Sequence, residues 1–96
     1  MNNKNKSIGL IGVGLLGTAI ADRLLTSGWP VRGYDLRSER LDLLVAAGGE
    51  ACTGAAEVLD GCNTTVLSLP DSSVSRDVLS RNAGSLRSGR TIIDTH

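Results

Sequence analysis

Short apolar runs alternate along the chain with longer segments in which apolar residues recur every three or four positions. The short runs are β-branched or apolar throughout, as is typical of strands buried in a parallel sheet, whereas the longer segments have the period of amphipathic helices. The predicted strands are Ser7 to Ile11, Val31 to Tyr34, Glu50 to Cys52, Thr64 to Leu69 and Thr91 to Ile93. The predicted helices run from residue 15 to 27, from 39 to 47, from 53 to 61, and through Val74, Val78 and Leu79.

Small polar residues and glycines mark the ends of these helices. Side-chain oxygens satisfy the free N–H groups of a first turn, and glycine readily takes the left-handed conformation that ends a helix. The predicted N-caps are Ser38, Thr53 and Asp71 or Ser72, and the predicted helix stops are Gly28, Gly48 to Gly49 and Gly61.

This alternation predicts an α/β fold with a doubly wound parallel sheet and strand order 3-2-1-4-5. Residues 7–96 form one domain, and residues 1–6 are a polar tail. In this order the strand ends at Gly12, Asp35, Leu69 and Asp94 share one carboxyl edge. Ligands of such sheets bind at that edge, where the strand order reverses, so Leu69 and Pro70 should face the loop that follows the first strand.

That loop, Gly12 to Gly17, has the spacing Gly-x-Gly-x-x-Gly between a predicted strand and a predicted helix. Gly12 allows a tight turn, Gly14 lets a diphosphate approach the backbone, and Gly17 lets the helix pack closely on the strand. The N–H groups at the helix start would bind the diphosphate, which brings Val13, Leu15 and Leu16 into the predicted site. The loop therefore predicts a dinucleotide site.

Two other interpretations of the same segment remain open. The glycines can form a tight strand-to-helix turn without a ligand. Alternatively, Lys4 and Lys6, the apolar run after them and Ala19 to Ala21 resemble a secretory signal and its cleavage site. Cleavage there would remove the central strand of the predicted sheet, which argues against the second interpretation.

Asp35 lies where a dinucleotide-binding fold places an acid, at the end of the second predicted strand. A carboxylate there accepts hydrogen bonds from ribose hydroxyls and repels a 2′-phosphate, so NAD is predicted in preference to NADP. Leu36 and Arg37 follow directly and belong to the same predicted site. Arg37 leaves NADP open, because an arginine at this strand end could pair with the 2′-phosphate.

Composition narrows the choice of partners. The 96 residues carry ten basic and ten acidic side chains, and Trp29 and Tyr34 are the aromatic residues, so neither a nucleic-acid nor an anionic-membrane surface is predicted. No apolar run reaches the roughly 18 residues of a membrane span. Cys52 and Cys62 have neither metal-ligand spacing nor the number for a disulfide framework. Reduced thiols, no metal site and a cytoplasmic location are expected.

Groups for proton transfer are scarce. Exchange of a hydroxyl proton during hydride transfer needs a side chain such as Lys, His or Tyr. Lys4 and Lys6 lie in the tail, Tyr34 lies within a predicted strand, and His96 is the last residue. His96 is at the expected edge as a possible acid or base, but nothing follows it to orient the ring. No catalytic residue is predicted.

Several segments together resemble one family. These are Gly12 to Gly17, Tyr34-Asp35, Leu67 to Val74 with its Leu-Pro element, and Gly89 to Thr95. They are similar to the N-terminal domain of the β-hydroxyacid dehydrogenases, which include 3-hydroxyisobutyrate dehydrogenase, tartronate semialdehyde reductase and 6-phosphogluconate dehydrogenase. The resemblance covers nearly all of the chain after the tail.

This resemblance implies that Gly12 to Gly17, Asp35, Leu69-Pro70 and Val74 contact the dinucleotide. It also implies that Thr95 and His96 lie on the substrate side, although the family has Ser where this chain has His96. The family's substrate-binding glycine pair, catalytic lysine and helical domain have no counterpart in these 96 residues. A nicotinamide dinucleotide is thus the expected ligand, and a helical domain or a second chain is the expected partner.

Three functional hypotheses follow. The chain is an NAD-binding half of such a dehydrogenase, which binds cofactor without turnover. Alternatively, it is a nucleotide-binding or assembly module that recruits another chain through the edge of its fifth strand. The third hypothesis is a different oxidoreductase of the same fold, related to prephenate dehydrogenase or pyrroline carboxylate reductase; the Leu-Pro element argues against it.

Overall fold

A computed structural model of the chain describes residues 7–69, 72–82, 84 and 91–95. Strands and helices alternate through the described part of the chain. In order they are β1 (Ile8–Ile11), α1 (Leu15–Thr26), β2 (Val31–Tyr34), α2 (Ser38–Ala46), β3 (Glu50–Ala51), α3 (Ala55–Gly61), β4 (Thr64–Leu67), α4 (Ser72–Arg81) and β5 (Thr91–Asp94).

The five strands form one sheet in the order β3-β2-β1-β4-β5. All four strand pairs are parallel. The predicted doubly wound sheet and its strand order are therefore confirmed. The register aligns the last residues of the inner strands, because Ile11 pairs with both Tyr34 and Leu67, and Leu67 pairs in turn with Asp94. The loops that follow these strands consequently leave the sheet at one level.

Alternate residues of the central strand pack into two separate cores, one on each face of the sheet. Leu10 belongs to a core that includes Leu44 of α2 and is covered by apolar residues of α1. Ile11 belongs to the opposite core, with Val58 and Leu59 of α3. The sheet thus lies between two helical layers, which explains why three of the four residues in each of β1 and β4 are buried.

Several predicted boundaries are wrong by one or two residues. The strand predicted to reach Leu69 ends at Leu67, at the level where β1 also ends. Helix α2 begins at Ser38 itself, so Ser38 is not its N-cap. Thr53 is not the N-cap of α3, because Gly54 occupies that position. The Thr53 hydroxyl instead donates to Glu57 Oε2 at 3.0 Å.

The predicted helix stop at Gly28 is confirmed. Gly28 has φ +91°, a left-handed conformation that glycine adopts without strain. Its N–H donates to the Leu25 carbonyl, and the Trp29 N–H donates to the Leu24 carbonyl at 2.9 Å. These two bonds satisfy the last free carbonyls of α1 and turn the chain toward β2.

The predicted cap Asp71 lies outside the described residues, as does most of the predicted loop from 82 to 89. Among the helices that the structure describes, none has the length and hydropathy to cross a membrane.

Candidate functional site

The loops after the inner strands are held together at the carboxyl edge by backbone hydrogen bonds. The Gly12 N–H donates to the Tyr34 carbonyl at 2.9 Å, and the Ser68 N–H donates to the Ile11 carbonyl at 2.9 Å. These bonds continue the ladders one residue beyond the strands. They fix the glycine loop between the two segments predicted to flank a ligand.

Two of the loop glycines are required by their surroundings. Gly12 has φ +92°, and a Cβ there would overlap the Ser68 carbonyl. A Cβ at Gly17 would overlap the carbonyl oxygen of Gly12 itself. Both positions are therefore closed by backbone atoms, as expected for residues that set the turn and the close packing of α1 on β1.

Gly14 has different surroundings. Its backbone is extended, with φ −84° and ψ −158°, a conformation open to any residue. A Cβ at Gly14 would meet only the end of the Arg40 side chain, with Nη1 at 3.6 Å and Cζ at 4.0 Å. Neither turn geometry nor packing requires glycine here. The absent side chain leaves space for another molecule to reach the backbone.

Helix α1 begins immediately after Gly14 with an uncapped N-terminus. No side chain of the described residues bonds to the cap position, and the first turn contains no acidic residue. The first N–H groups of a helix have no acceptor within the helix, and the helix dipole adds partial positive charge there. The loop therefore presents donors to an anion at the point where Gly14 leaves space.

Asp35 fixes the neighbouring strand end to this loop. Its carboxylate is buried and accepts a hydrogen bond from the Val13 N–H at 2.6 Å through Oδ2. The Arg37 N–H donates to Oδ1 at 2.9 Å. An ionised carboxylate has about four acceptor sites, so these two bonds leave capacity for further donors such as hydroxyl groups.

Arg40 is a site residue that the sequence interpretation missed. Its Nη1 lies 3.7 Å from Asp35 Oδ2, and its side chain is about 40% exposed. The position lies one helical turn after Arg37, and helical side chains tilt toward the N-terminus of their helix. That spacing is a signal from which Arg40 could have been found.

An open cleft of about 410 Å³ lies along this edge. Its lining combines the helix start, the β4 loop and the β5 end, namely Gly14, Leu15, Leu16, Arg40, Ser68, Leu69 and Thr95. The structure thus brings together five of the predicted site residues. Ser68 is a second lining residue that was not predicted.

The other predicted residues are arranged around this cleft. Gly12, Val13 and Gly17 are buried, so they contribute backbone beneath it. Leu36 is 90% exposed, and Arg37 is also exposed. Val74 is half-buried on α4, and none of these three lines the cleft among the described residues.

At the end of β5, Thr95 is hydrogen-bonded to β4. Its N–H and its hydroxyl both donate to the Leu67 carbonyl, at 3.1 Å and 2.9 Å. Pro70 and His96, two further predicted site residues, lie outside the described residues.

Another polar cluster lies between β2, β3 and α3. The Arg32 guanidinium lies 3.5 Å from Glu50 and 3.6 Å from Glu57. Burial raises the pKa of the Cys52 thiol to about 12, with the nearby Glu57 carboxylate adding to the effect and Arg32 opposing it. At neutral pH this thiol is protonated and is therefore a weak nucleophile. Both cysteines, Cys52 and Cys62, are buried and are not disulfide-bonded.

In the part of the chain that the structure describes, no three His, Cys, Asp or Glu side chains form a group that could hold a metal ion. At the carboxyl edge, the uncapped start of α1 lies next to the Asp35 carboxylate and the Arg40 guanidinium.

Comparison with known proteins identifies the family to which this chain belongs. The family model described as the NAD binding domain of 6-phosphogluconate dehydrogenase matches residues 7–96. The chain belongs to this family. The expected resemblance to the hydroxyacid dehydrogenases is confirmed, and the chain is an NAD-binding domain of that group.

Two curated relatives illustrate the range of proteins that contain this NAD-binding domain. The 2-(hydroxymethyl)glutarate dehydrogenase of Eubacterium barkeri is 31% identical over 94 residues, covering 95% of this chain and 31% of the relative. The cytokine-like nuclear factor N-PAC of Homo sapiens is 30% identical over 93 residues, covering 94% of this chain and 17% of the relative. The domain therefore spans less than a third of either relative.

Solved structures agree on the fold of the NAD-binding domain. An imine reductase from Bacillus cereus BAG3X2 superposes with a TM-score of 0.85 at 31% identity, covering 94% of this chain and 31% of that one. The 3-hydroxyisobutyrate dehydrogenase of Mycobacterium tuberculosis, whose structure includes L-serine, gives a TM-score of 0.89 at 23% identity, covering 95% and 31%. At 23% identity, the second likeness supports the fold alone.

Proposed function

We propose that the chain binds NAD, in preference to NADP, in the cleft at the carboxyl edge of its sheet. The observation that carries this proposal is the open position at Gly14, next to an uncapped helix start. A turn without a ligand needs glycine at Gly12 and Gly17, but it does not need glycine at Gly14. The open position therefore favours a dinucleotide site over the alternative of a turn alone.

The residues in and around the cleft match the chemical groups of a dinucleotide. The N–H groups at the start of α1 would bind the diphosphate, with Gly14 beneath it. Asp35, at the next strand end, would accept hydrogen bonds from the adenosine ribose. Exposed Leu36 and Arg37 would border the adenosine half, whereas Leu69, Pro70 and Val74 would border the cofactor from the β4 side.

The preference for NAD rests on charge at the adenosine ribose. The buried Asp35 carboxylate would lie close to a 2′-phosphate. Both groups are negatively charged, so they would repel each other. Arg37 and Arg40 oppose that repulsion, which makes the predicted preference moderate in size. About a tenfold difference in Kd between NADH and NADPH is expected, equivalent to about 1.4 kcal/mol.

Bound NAD supplies a hydride acceptor for oxidation of a hydroxyl group. The 96 residues lack a lysine beyond the tail, so we propose that they bind cofactor without turnover. A helical domain or a second chain would supply the acid or base, and Thr95 and His96 would lie on the substrate side. The class of substrate proposed is a hydroxy acid, as in the Eubacterium barkeri dehydrogenase that the chain resembles. We also propose a cytoplasmic location, which two buried cysteines without a disulfide bond support.

Calorimetric titration of the 96-residue chain with NADH and NADPH tests this function. We expect NADH to bind with a Kd below about 1 mM, and NADPH to bind more weakly. Asp35→Asn should reduce this preference, because it removes the charge but keeps an acceptor for the Val13 N–H. Asp42→Asn, on the exposed part of α2, is the matched control and should leave both affinities unchanged. No NADH binding at millimolar concentration would refute the proposal.

A second candidate function is assembly with another chain through β5. This strand is at the end of the sheet order, and Ile93 on it is 46% exposed. An unpaired edge with an exposed apolar residue favours pairing with a further strand. Sedimentation of the 96-residue chain should then show a concentration-dependent dimer that Ile93→Lys removes. Leu43→Lys, at an apolar residue of α2 that is 57% exposed, should leave the dimer intact. Monomer at all concentrations would exclude self-association through this edge.

A further inference from the structure

Arg40 lies between two groups that the dinucleotide would contact. Its guanidinium is 3.7 Å from the Asp35 carboxylate, and Nη1 lies 3.6 Å from the point where a Cβ would stand on Gly14. The side chain thus bridges the carboxylate at the end of β2 and the open position of the loop. Arg40 is also the basic side chain among the described residues that line the cleft.

The contact between Arg40 and Asp35 is loose enough to be exchanged. At 3.7 Å it is longer than the charge-assisted hydrogen bonds of a tight ion pair, which measure about 2.7–2.9 Å. The carboxylate already accepts the Val13 and Arg37 N–H groups, so it remains bonded if the guanidinium moves away. A long side chain that is about 40% exposed is free to take another rotamer.

Binding of a diphosphate changes the charges around this arginine. Without a cation, an anion above Gly14 would be close to the negative Asp35, and their repulsion would oppose the attraction of the helix start. A guanidinium binds two phosphate oxygens at once in a planar arrangement. Arg40 already lies over the position where such oxygens would approach.

On the proposed function of this site, we propose that Arg40 is a cofactor-binding residue that exchanges its partner when the dinucleotide binds. In the free chain the guanidinium lies against Asp35, and in the complex it binds the diphosphate above Gly14. The exchange also exposes Oδ2 of Asp35, which becomes available to the ribose hydroxyls. One side chain thereby links recognition of the diphosphate to recognition of the ribose.

Arg37 is the appropriate comparison for Arg40. It lies only three residues away and carries the same charge, but its side chain does not line the cleft among the described residues. The sequence interpretation gave Arg37 as a possible partner of the 2′-phosphate of NADP. The diphosphate contact, a different part of the dinucleotide, belongs to Arg40 in this proposal.

Titration of Arg40→Gln, Arg23→Gln and unaltered chain with ADP, NADH and NADPH tests this proposal. ADP carries the diphosphate without nicotinamide or a 2′-phosphate. Arg40→Gln is expected to weaken ADP and NADH by a similar factor of about five to ten, the effect of losing a partly exposed charge-assisted contact. Arg23→Gln, at an exposed arginine in the last turn of α1 away from the cleft, is the matched control and should leave both affinities unchanged. Arg40→Lys should restore part of the loss, because it keeps the charge but not the planar pair of donors.

The other outcomes are distinguishable. Weaker binding of NADPH alone would place Arg40 at the 2′-phosphate and overturn the proposal. Unchanged affinities in Arg40→Gln would show that the arginine is only a partner of Asp35, which also overturns it. If the unaltered chain binds neither ADP nor NADH, the proposed function fails first, and the proposal fails with it. Circular dichroism and thermal midpoints verify that each variant is folded.

Discussion

Gly12, Gly14 and Gly17 belong to one motif, but glycine occupies these three positions for different reasons. Backbone carbonyls close the space around Gly12 and Gly17, whereas Gly14 meets only the end of a flexible side chain. The motif therefore combines two positions closed by backbone, which set the turn and the packing of α1 on β1, with one position that is open to another molecule. A sequence pattern alone treats the three as equivalent.

Alanine substitutions should separate these roles. Gly17→Ala should lower the free energy of unfolding by about 1–2 kcal/mol, because its Cβ forces the backbone carbonyl of Gly12 to shift and alanine's helix preference offsets only part of that cost. Gly14→Ala should change stability by less than about 0.5 kcal/mol and weaken NADH binding about tenfold. Urea unfolding and calorimetry measure the two quantities. Unweakened NADH binding by a folded Gly14→Ala chain would contradict the assignment of Gly14 to the ligand.

Cys52 gives the fold a pH dependence in the alkaline range. Its pKa is raised from 9.0 to about 12, chiefly by burial. Above pH 9 the unfolded chain therefore loses this proton while the folded chain retains it, and stability decreases as the pH rises. The contribution is fully present below pH 9 and is lost between about pH 9 and 12, at about 1.4 kcal/mol for each pH unit.

Urea unfolding at pH 7.5 and pH 10 measures this effect. Unaltered chain should lose about 1.4 kcal/mol more than Cys52→Ala between these two values. The comparison is between pH responses, so the cavity left by alanine, which affects both pH values, cancels. Equal responses would show that the thiol ionises as readily in the folded chain as in the unfolded one.

At the scale of elements, the start of α1 lacks features that would stabilise it as an isolated helix. Among the described residues it has no side-chain cap, as is also true of α2 and α3, and no acid in its first turn, which it shares with α4 but not with α2 and α3, where Glu39 and Glu57 lie. An acid at the start of α1 would satisfy the helix but compete with a bound anion. The local disadvantage is therefore consistent with a binding role.

Leu15→Asp and Leu15→Asn test this trade-off with side chains of nearly equal shape. Leu15 is 94% exposed, so little packing is lost. Relative to asparagine, aspartate should raise the free energy of unfolding by about 0.5 kcal/mol through the helix dipole. It should also weaken NADH binding several-fold by repelling the diphosphate. A thermal denaturation series with and without NADH measures both effects. If aspartate strengthens NADH binding relative to asparagine, the diphosphate does not lie at this helix start.

At the scale of the whole molecule, the alternation of apolar runs and helical periods was enough to predict the sheet. The strand order is that of a doubly wound sheet with right-handed crossovers, and the glycine loop indicated the candidate binding edge. The segments that pack into the two cores have strong patterns, because each must be apolar toward a defined face.

Contacts that depend on side-chain direction were harder to predict. Arg40 was missed because its position in a helix appears as an exposed charge, and only the placement of α2 brings it to Gly14. The strand after Cys62 was predicted two residues too long, because its apolar pattern continues after its partner strand has ended. The hydrogen bond between Asp35 and Val13 joins residues 22 positions apart, beyond the reach of local pattern.

The segment from Asp35 to Arg40 has a consequence for how such domains diversify. Most of its side chains are at the surface, including Leu36 and Arg37, and it holds the groups expected to distinguish one adenosine ribose from another. These six residues could therefore be replaced together with little disturbance to either core, provided that the side chain at position 35 still accepts a hydrogen bond from the Val13 N–H. The glycine loop offers no such freedom, since two of its positions are closed by main chain. Cofactor choice can thus drift quickly in descendants of a common ancestor while the turn that holds the cofactor stays constant.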